Sequence, residues 1–310
     1  MKPSLLILIR LNDTSRASIA NTFDATYAPD QASRATAIAK RGGDFQAVLT
    51  NGTTGLTSAE IDQMKQLELV SALGAGYENI AVDHARARDI MLVNGAGTNA
   101  DCVADHAFAL LLAVVRDVPQ LDGATRQGAW RDTLPMRPNV SGKRLGILGL
   151  GHIGHKVARR GAGFDMELGY HNRKPRDGES MPYFDSVMAL AQWCDFLVVT
   201  PPGGPGTKHL VNRAVLEALG PEGFVVNVSR GSVVDTAALG AALRAGTIAG
   251  AGLDVYEGEP QPPAELIGLH NVVLTPHVGG RSPEAVTASV DNFLANAARH
   301  FAGEPVLTPI

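Results

Sequence analysis

The chain has 310 residues, of which 45% are apolar, 19% are charged and 34 are glycine, and its formal net charge is −4. That is length enough for two domains and apolar material enough for folded cores, with glycine above and charge below the average of soluble domains. The 27 basic and 31 acidic residues form no long like-charge blocks, which leaves no basic footprint for nucleic acid or for a membrane surface.

In chain order, the apolar run LLILI at 5–9 is too short for a signal-peptide core and is followed by Arg10, Asn12 and Asp13. It predicts a buried first strand. Strands are predicted next at 47–50, 69–73 and 91–94, with helices around 31–41, from Ser58 as N-cap, and over 81–89. Residues 101–117 are apolar on nearly every side, which predicts a buried helix between domains or subunits. A second series of strands is predicted at 144–148, 166–171, 195–199, 223–228, 249–253 and 272–275, with helices in the gaps. The alternation predicts an α/β fold of two Rossmann-like domains built on doubly wound parallel sheets, with a boundary near residue 100. The helical pattern at 283–302 fits either domain. No run reaches transmembrane length, and Cys102 and Cys194, far apart in apolar settings, read as buried free thiols of a reducing compartment. The address expected is the cytoplasm.

The sharpest local signal is LGILGLGHIG at 145–154, in which Gly149, Gly151 and Gly154 fit G-x-G-x-x-G directly after a strand and at the opening of a helix. Gly149 permits the tight turn, Gly151 lets backbone approach a pyrophosphate, and Gly154 lets the helix sit close to the strand. The helix N-terminus holds the anion. His152 is expected beside the cofactor as a backbone contact, and His171 near the adenosine ribose. About 20 residues on, an NAD site would place an acid against the ribose 2′-hydroxyl. Here the strand ends Tyr170-His171-Asn172-Arg173-Lys174, with no acid. Arg173 and Lys174 suit a 2′-phosphate, so NADPH is the preferred cofactor and NAD the lesser one. The alternative is that both are solvated loop cations.

Three polar residues follow apolar strands, at the carboxyl edge where open α/β sheets bind ligands: Arg230 in NVSRGSVVD, Glu259 in GLDVYEGEP and His277 in TPHVGG. Reduction of a 2-oxo acid needs these types. A guanidinium holds the carboxylate and polarises the carbonyl, and a protonated imidazole delivers a proton to the developing alkoxide. A carboxylate beside such an imidazole favours its charged form. The remaining histidines, at 84, 106, 155, 209, 270 and 300, fall on predicted helices or turns without acid–base partners in the motifs. No histidine pair has metal-ligand spacing with a third ligand, so no metal is expected.

Seven stretches in order resemble the D-isomer-specific 2-hydroxyacid dehydrogenase family: SALGAGYENI at 71–80, GTNADCVADHA at 97–107, the glycine fingerprint, VVTPPGGPGT at 198–207, and the three motifs carrying Arg230, Glu259 and His277. The resemblance implies that these three are the family's Arg–Glu–His set, with Glu259 rather than its neighbour Glu257 marked by the E-P pair. It further implies that the loop Leu73-Gly74-Ala75-Gly76 offers backbone N–H groups to a substrate carboxylate, as a glycine-lined anion nest would. Thr200, Pro201, Pro202, Val228, Ser229, Arg230, His277, Gly279 and Gly280 would join Gly149, Gly151, His152, Ile153, Gly154 and His171 through Lys174 along the cofactor, with Asp254 on the nicotinamide carboxamide. The family's split chain returns the last helix to the substrate domain. That gives a flavodoxin-like substrate domain at 1–99 plus 283–310, a dinucleotide-binding domain at 100–282, and an active site in the cleft between them.

The helix from Asp101 would form much of a homodimer interface. Asp105 stands where many relatives carry Glu, which leaves that position's role open. Trp130, Met136 and Arg137 resemble the segment that reaches a neighbouring active site in glyoxylate/hydroxypyruvate reductases; the plain alternative is surface packing. The implied activity is reduction of a small 2-oxo acid such as glyoxylate or hydroxypyruvate to the D-2-hydroxy acid, with His277 as proton donor. Two alternatives keep the fold: a non-catalytic NAD(P)-sensing protein of the corepressor kind, and a formate- or phosphite-oxidising NAD enzyme.

Overall fold

The computed structural model describes residues 2–310. The chain divides into two compact units, one of Met1–Asn99 with Arg281–Ile310 and one of Ala100–Gly280.

The first unit runs β1 (Ser4–Ile7), α1 (Asp13–Thr22), β2 (Asp24–Tyr27), α2 (Gln31–Arg41), β3 (Ala47–Thr50), α3 (Ser58–Gln63), β4 (Leu69–Ala72), α4 (Val82–Arg86) and β5 (Met91–Asn94). The strands form one parallel sheet in the order β2-β1-β3-β4-β5. Because side chains alternate along a strand, each strand feeds both faces. Leu6, Val48, Val70 and Leu92 pack under Ile38, Ile61 and Met64. Leu5, Ile7, Leu49, Leu69 and Val93 pack on the other face under Ile19 and Phe23 of and after α1 and under Val290, Phe293 and Ala297. A sheet covered on both sides reads as continuous apolar runs, which is why β1, β3 and β4 are legible.

Two elements here have no apolar run to announce them. The edge strand β2 is half exposed, and α1 buries only Ser15 and Ile19. The third helix is capped one residue earlier than predicted: the Thr57 hydroxyl accepts from the Glu60 N–H while Glu60 takes the Thr57 N–H, a reciprocal capping box.

The second unit begins with α5 (Ala100–Val115) and α6 (Val118–Arg126). It continues through β6 (Arg144–Leu148), α7 (His152–Ala162), β7 (Glu167–His171), α8 (Val187–Trp193), β8 (Phe196–Val199), α9 (Arg213–Leu219), β9 (Phe224–Asn227), α10 (Thr236–Ala245), β10 (Gly250–Leu253) and β11 (Val272–Leu274). Its parallel sheet has the order β11-β10-β9-β8-β6-β7. A parallel bridge from Tyr183 to Tyr170 stands outside β7, in the place of one further strand. The order reverses between β6 and β8, and in open α/β sheets that switch point is where a crevice opens at the strand carboxyl ends. After β11 the chain re-enters the first unit with α11 (Pro283–Phe301), capped by Ser282, and Phe293 stacks on Phe23 at 5.5 Å between ring centres.

The helix α5 differs from the expectation of an all-round apolar rod. It buries Val103, Ala107, Phe108, Leu110, Leu111 and Val114 against the sheet, while Asp101, Asp105, Ala109 and Arg116 stay exposed. It lies close on β10, where a Cβ at Gly252 would come 2.9 Å from Leu110 Cβ. Asp105 pairs with Arg160 of α7 at 2.6 Å within the same unit. Nor are both thiols buried: Cys194 is, and burial pushes it up to about 12, but Cys102 is half exposed.

Candidate active site

The glycine turn shows three distinct uses of a missing side chain. Gly149 takes φ +97°, in the left-handed region that favours glycine, and a Cβ there would lie 2.7 Å from Pro201 N. At Gly154 a Cβ would lie 2.3 Å from the Gly149 carbonyl oxygen, so only a glycine lets α7 seat on the turn. At Gly151 nothing stands within 4 Å. Gly151 is also the N-cap of α7, where no side chain accepts the first-turn N–H groups. A helix start with free donors and open space fits a dinucleotide's phosphates. Thr200 braces the turn from β8, its hydroxyl donating to the Gly149 carbonyl at 2.6 Å.

Asn172 Oδ1 accepts the Leu150 N–H at 2.7 Å, so its amide oxygen helps to hold the turn. His171 Nδ1 engages the Phe184 carbonyl at 2.8 Å, with its ring stacked on Tyr183. Arg173 and Lys174 lie exposed at the end of β7. Sequence reasoning passed over Arg176, whose guanidinium donates to the Leu150 carbonyl at 2.6 Å and puts a third cation beside the turn. The K-P-R spacing was the available signal.

His277 and Glu259 meet: His277 Nδ1 lies 2.7 Å from Glu259 Oε2, and Glu259 Oε1 accepts the Tyr256 N–H at 2.9 Å. Burial acts to raise the Glu259 carboxyl, but the hydrogen bonds from His277 and Tyr256 and the pull of the imidazolium outweigh it, and the net shift is downward. A carboxylate depressed in the folded state contributes fully above its unfolded value and is lost only as pH falls through the folded one. The pair therefore outlasts the usual carboxylate range on acidification.

The rival carboxylate, Glu257, is engaged elsewhere. Its Oε1 lies 2.8 Å from His209 Nε2 and its Oε2 takes the Thr236 N–H at 3.1 Å. Of the histidines expected to lack acid–base partners in the motifs, His209 has one in Glu257, and His106 lies 2.8 Å from Thr275 and 3.3 Å from Asp254; His84 and His155 pair outside the motifs, with Asp62 at 2.9 Å and Glu179 at 3.4 Å.

Arg230 sits on the turn after β9, built by Asn227, whose amide donates to the Arg230 carbonyl at 3.0 Å and whose Oδ1 accepts the Ser229 N–H and hydroxyl. Val228 and Ser229 are buried beneath it. The next residue, Gly231, is pressed against Tyr256, so the Arg230 turn and the Glu259 segment share one packed contact.

Asp254, 2% exposed, accepts from the Thr275 hydroxyl at 2.6 Å, the Val278 N–H at 2.9 Å and the Gly279 N–H at 2.8 Å. Gly279, expected along the cofactor, spends its N–H on that carboxylate.

In the first unit, the loop after β4 turns its carbonyls inward: Gly74 O accepts from the Gly95 N–H and Ala75 O from the Asn94 amide, each at 2.9 Å. Among the described residues, no acceptor takes the N–H groups of Gly74, Ala75 and Gly76. Three unspent donors in a glycine-rich bend can receive a carboxylate.

Arg137 pairs with Asp117 of its own unit, while Trp130 is 69% and Met136 99% exposed. A cavity of about 440 Å³ lies at the amino edge of the second sheet, beside Lys143, Asp195, Phe224 and Asn271, at the end opposite His277. No group of three or more possible metal ligands occurs among the described residues, and no helix is long and apolar enough to cross a membrane.

Residues 108–279 match the model of the family described as D-isomer specific 2-hydroxyacid dehydrogenase, NAD binding domain. The chain is 39% identical over 274 residues to hydroxyphenylpyruvate reductase from Plectranthus scutellarioides, covering 88% of each. It is 38% identical over 267 residues to 2-ketogluconate reductase from Gluconobacter oxydans, covering 86% of each. Among solved structures, the NADPH-dependent glyoxylate/hydroxypyruvate reductase from Sinorhizobium meliloti, in complex with NADP and malonate, superposes with a TM-score of 0.91 at 36% identity, covering 100% of this chain and 97% of that one.

Proposed function

Because the chain belongs to the D-isomer specific 2-hydroxyacid dehydrogenase family and is an NAD(P)-dependent oxidoreductase, we propose that it reduces a small 2-oxo acid, glyoxylate or hydroxypyruvate first, to the D-2-hydroxy acid. The observation that carries this is the His277–Glu259 pair at 2.7 Å, set beside the Arg230 turn through the Gly231–Tyr256 contact. Glu259 holds Nδ1 of the imidazole, leaving Nε2 to give its proton to the carbonyl oxygen as charge builds there. Arg230 polarises that carbonyl, and the N–H groups of Gly74, Ala75 and Gly76 receive the carboxylate.

The dihydronicotinamide supplies hydride when bound. Gly149, Gly151, His152, Ile153 and Gly154 would hold the pyrophosphate, with Thr200, Pro201 and Pro202 along the opposite wall of the crevice. Asp254 has about one acceptor position left for the carboxamide, since an ionised carboxylate offers about four.

NADPH is the cofactor proposed, on the absence of an acid after β7 and the exposed cations Arg173 and Lys174, with NADH as the weaker substitute. The S. meliloti relative's complex with NADP agrees with this. The functional unit proposed is a homodimer. Because α5 already buries its apolar side within its own unit, the surface offered is α6, which has no buried residue and exposes Val118, with the exposed Trp130 and Met136 following it in the chain. The two free thiols fit a cytoplasmic address.

A panel of glyoxylate, hydroxypyruvate, pyruvate and phenylpyruvate, each with NADH and NADPH, tests the reading. A double variant, Arg173→Ala with Lys174→Ala, should lower kcat/KM for NADPH by about 10- to 100-fold, as expected for lost charge-assisted hydrogen bonds, and leave NADH nearly unchanged. Preference for NADH by the unaltered protein across the panel would overturn the cofactor assignment.

A further inference from the structure

The proton donor sits on an unfavourable stretch of backbone. His277 has φ +54°, a left-handed conformation that a residue with a Cβ adopts at a cost, so its surroundings must hold it there. The first restraint is local: the His277 N–H donates to the Asp254 carbonyl at 2.8 Å, while the Asp254 carboxylate takes the next two N–H groups, of Val278 and Gly279. The turn is wrapped around one buried carboxylate.

The second restraint comes from far along the chain. His106 Nε2 lies 2.8 Å from Thr275 Oγ1, and that hydroxyl lies 2.6 Å from Asp254 Oδ1. A hydroxyl has one proton. The carboxylate is the stronger acceptor, so Thr275 donates to Asp254, and His106 must therefore donate through Nε2–H to Thr275. The tautomer follows from the proton count. His106 Nε2 is also 3.3 Å from Asp254 Oδ1, so its dipole faces the carboxylate as well.

One helical turn before His106, on the same side of α5, the Cys102 thiol donates to the Gly279 carbonyl at 2.9 Å. Between these contacts there is no spare room: a Cβ at Gly279 would meet Asp254 Oδ2 at 2.8 Å and His106 Cδ2 at 3.2 Å.

We propose that His106 is a positioning residue for His277, acting through Thr275 and Asp254, so that α5 fixes the strained turn that aims the proton donor. His106 touches neither substrate nor cofactor in this account. The inference rests on the reading of His277 as proton donor, and its test keeps the two apart.

The test compares the whole protein with His106→Ala, His106→Gln, Thr275→Val and His277→Ala, using NADPH and hydroxypyruvate in light and heavy water. His106→Ala should lower kcat by about tenfold or more, as misplacement of a catalytic group by a fraction of an ångström does, with NADPH binding within about twofold of the unaltered protein. The solvent isotope effect on kcat should rise, because proton delivery becomes slower relative to the other steps. A purely structural loss of folded protein would not change that ratio. Gln, which restores a donor near the Nε2 position, should recover most of the rate. Thr275→Val keeps the shape, removes the hydroxyl and should reproduce the Ala phenotype, which preserves the test if His106→Ala does not fold.

An unchanged kcat and isotope effect in His106→Ala or Thr275→Val would overturn the proposal, as would failure of Gln to recover activity. Undiminished turnover in His277→Ala would instead remove the reading beneath it.

Discussion

Replacing His277 by alanine is expected to lower kcat by about 10²- to 10⁴-fold, the usual worth of a positioned general acid. Several features concentrate the effect at this one side chain. Its Nδ1 is fixed by Glu259 at 2.7 Å, and Glu259 is itself anchored by the Tyr256 N–H at 2.9 Å, so the ring can neither rotate nor drift without breaking a charge-assisted bond. The ring is 39% exposed, open to a ligand. His209, whose imidazole is bonded to Glu257 of the GLDVYEGEP segment, is committed there and cannot take over. The glycine turn at 149–154 lies at the carboxyl ends of β6 and β8, built from other residues, so NADPH affinity measured by nicotinamide fluorescence should change little. Turnover near that of the unaltered protein would remove His277 from its role.

Gly231→Ala should give the second largest effect, by a different cause. A Cβ there would lie 2.1 Å from Tyr256 C, 2.2 Å from Tyr256 O and 2.6 Å from Glu257 N. All three are backbone atoms, so no rotamer change relieves the clash and two chain segments must part. One carries Arg230 and the other Glu259. Overpacking of this kind costs about 1–3 kcal/mol, which for a domain of this size lowers Tm by about 2–10 °C. Displacement of both segments should reduce kcat by about 10²-fold in the protein that remains folded. Gly43→Ala, where nothing lies within 4 Å of the added Cβ, is the matched control and should leave Tm and kcat unaltered. A Gly231→Ala protein with the Tm and kcat of that control would show that the contact is slack.

Much of this architecture is legible in the chain because a sheet covered on both faces leaves short continuous apolar runs. The strands from LLILI onward announce themselves for that reason. The edge strand β2 and the helix before it do not, since one is half exposed and the other buries two residues. Residues 101–117 are less legible for a related reason. The small and apolar residues suggest a rod buried all round, whereas Asp101, Asp105 and Arg116 mark a solvent side once the 3.6-residue period is followed.

At the site, strand-end position singles out Arg230, Glu259 and His277, and the E-P pair of the family motif marks Glu259 over Glu257. The geometry supplies the physical difference between the two carboxylates, one bonded to His277 and the other to His209. Asn172 and Gly279 show the converse. Both stand in motifs expected to face a ligand, and each spends a polar atom holding its turn, Asn172 its Oδ1 and Gly279 its N–H. His106 was beyond reach, because its partners Thr275 and Asp254 are more than 140 residues away and no local pattern links them.

The most direct measurement is the product formed from hydroxypyruvate and NADPH by the purified protein, followed by nicotinamide absorbance and resolved by chiral chromatography. Stoichiometric oxidation of NADPH is expected, with D-glycerate as the sole enantiomer, and both should slow by about 10²- to 10⁴-fold in His277→Ala. NADPH bound but not oxidised, across hydroxypyruvate and the other 2-oxo acids, would contradict it and leave a protein that senses the nucleotide without using it.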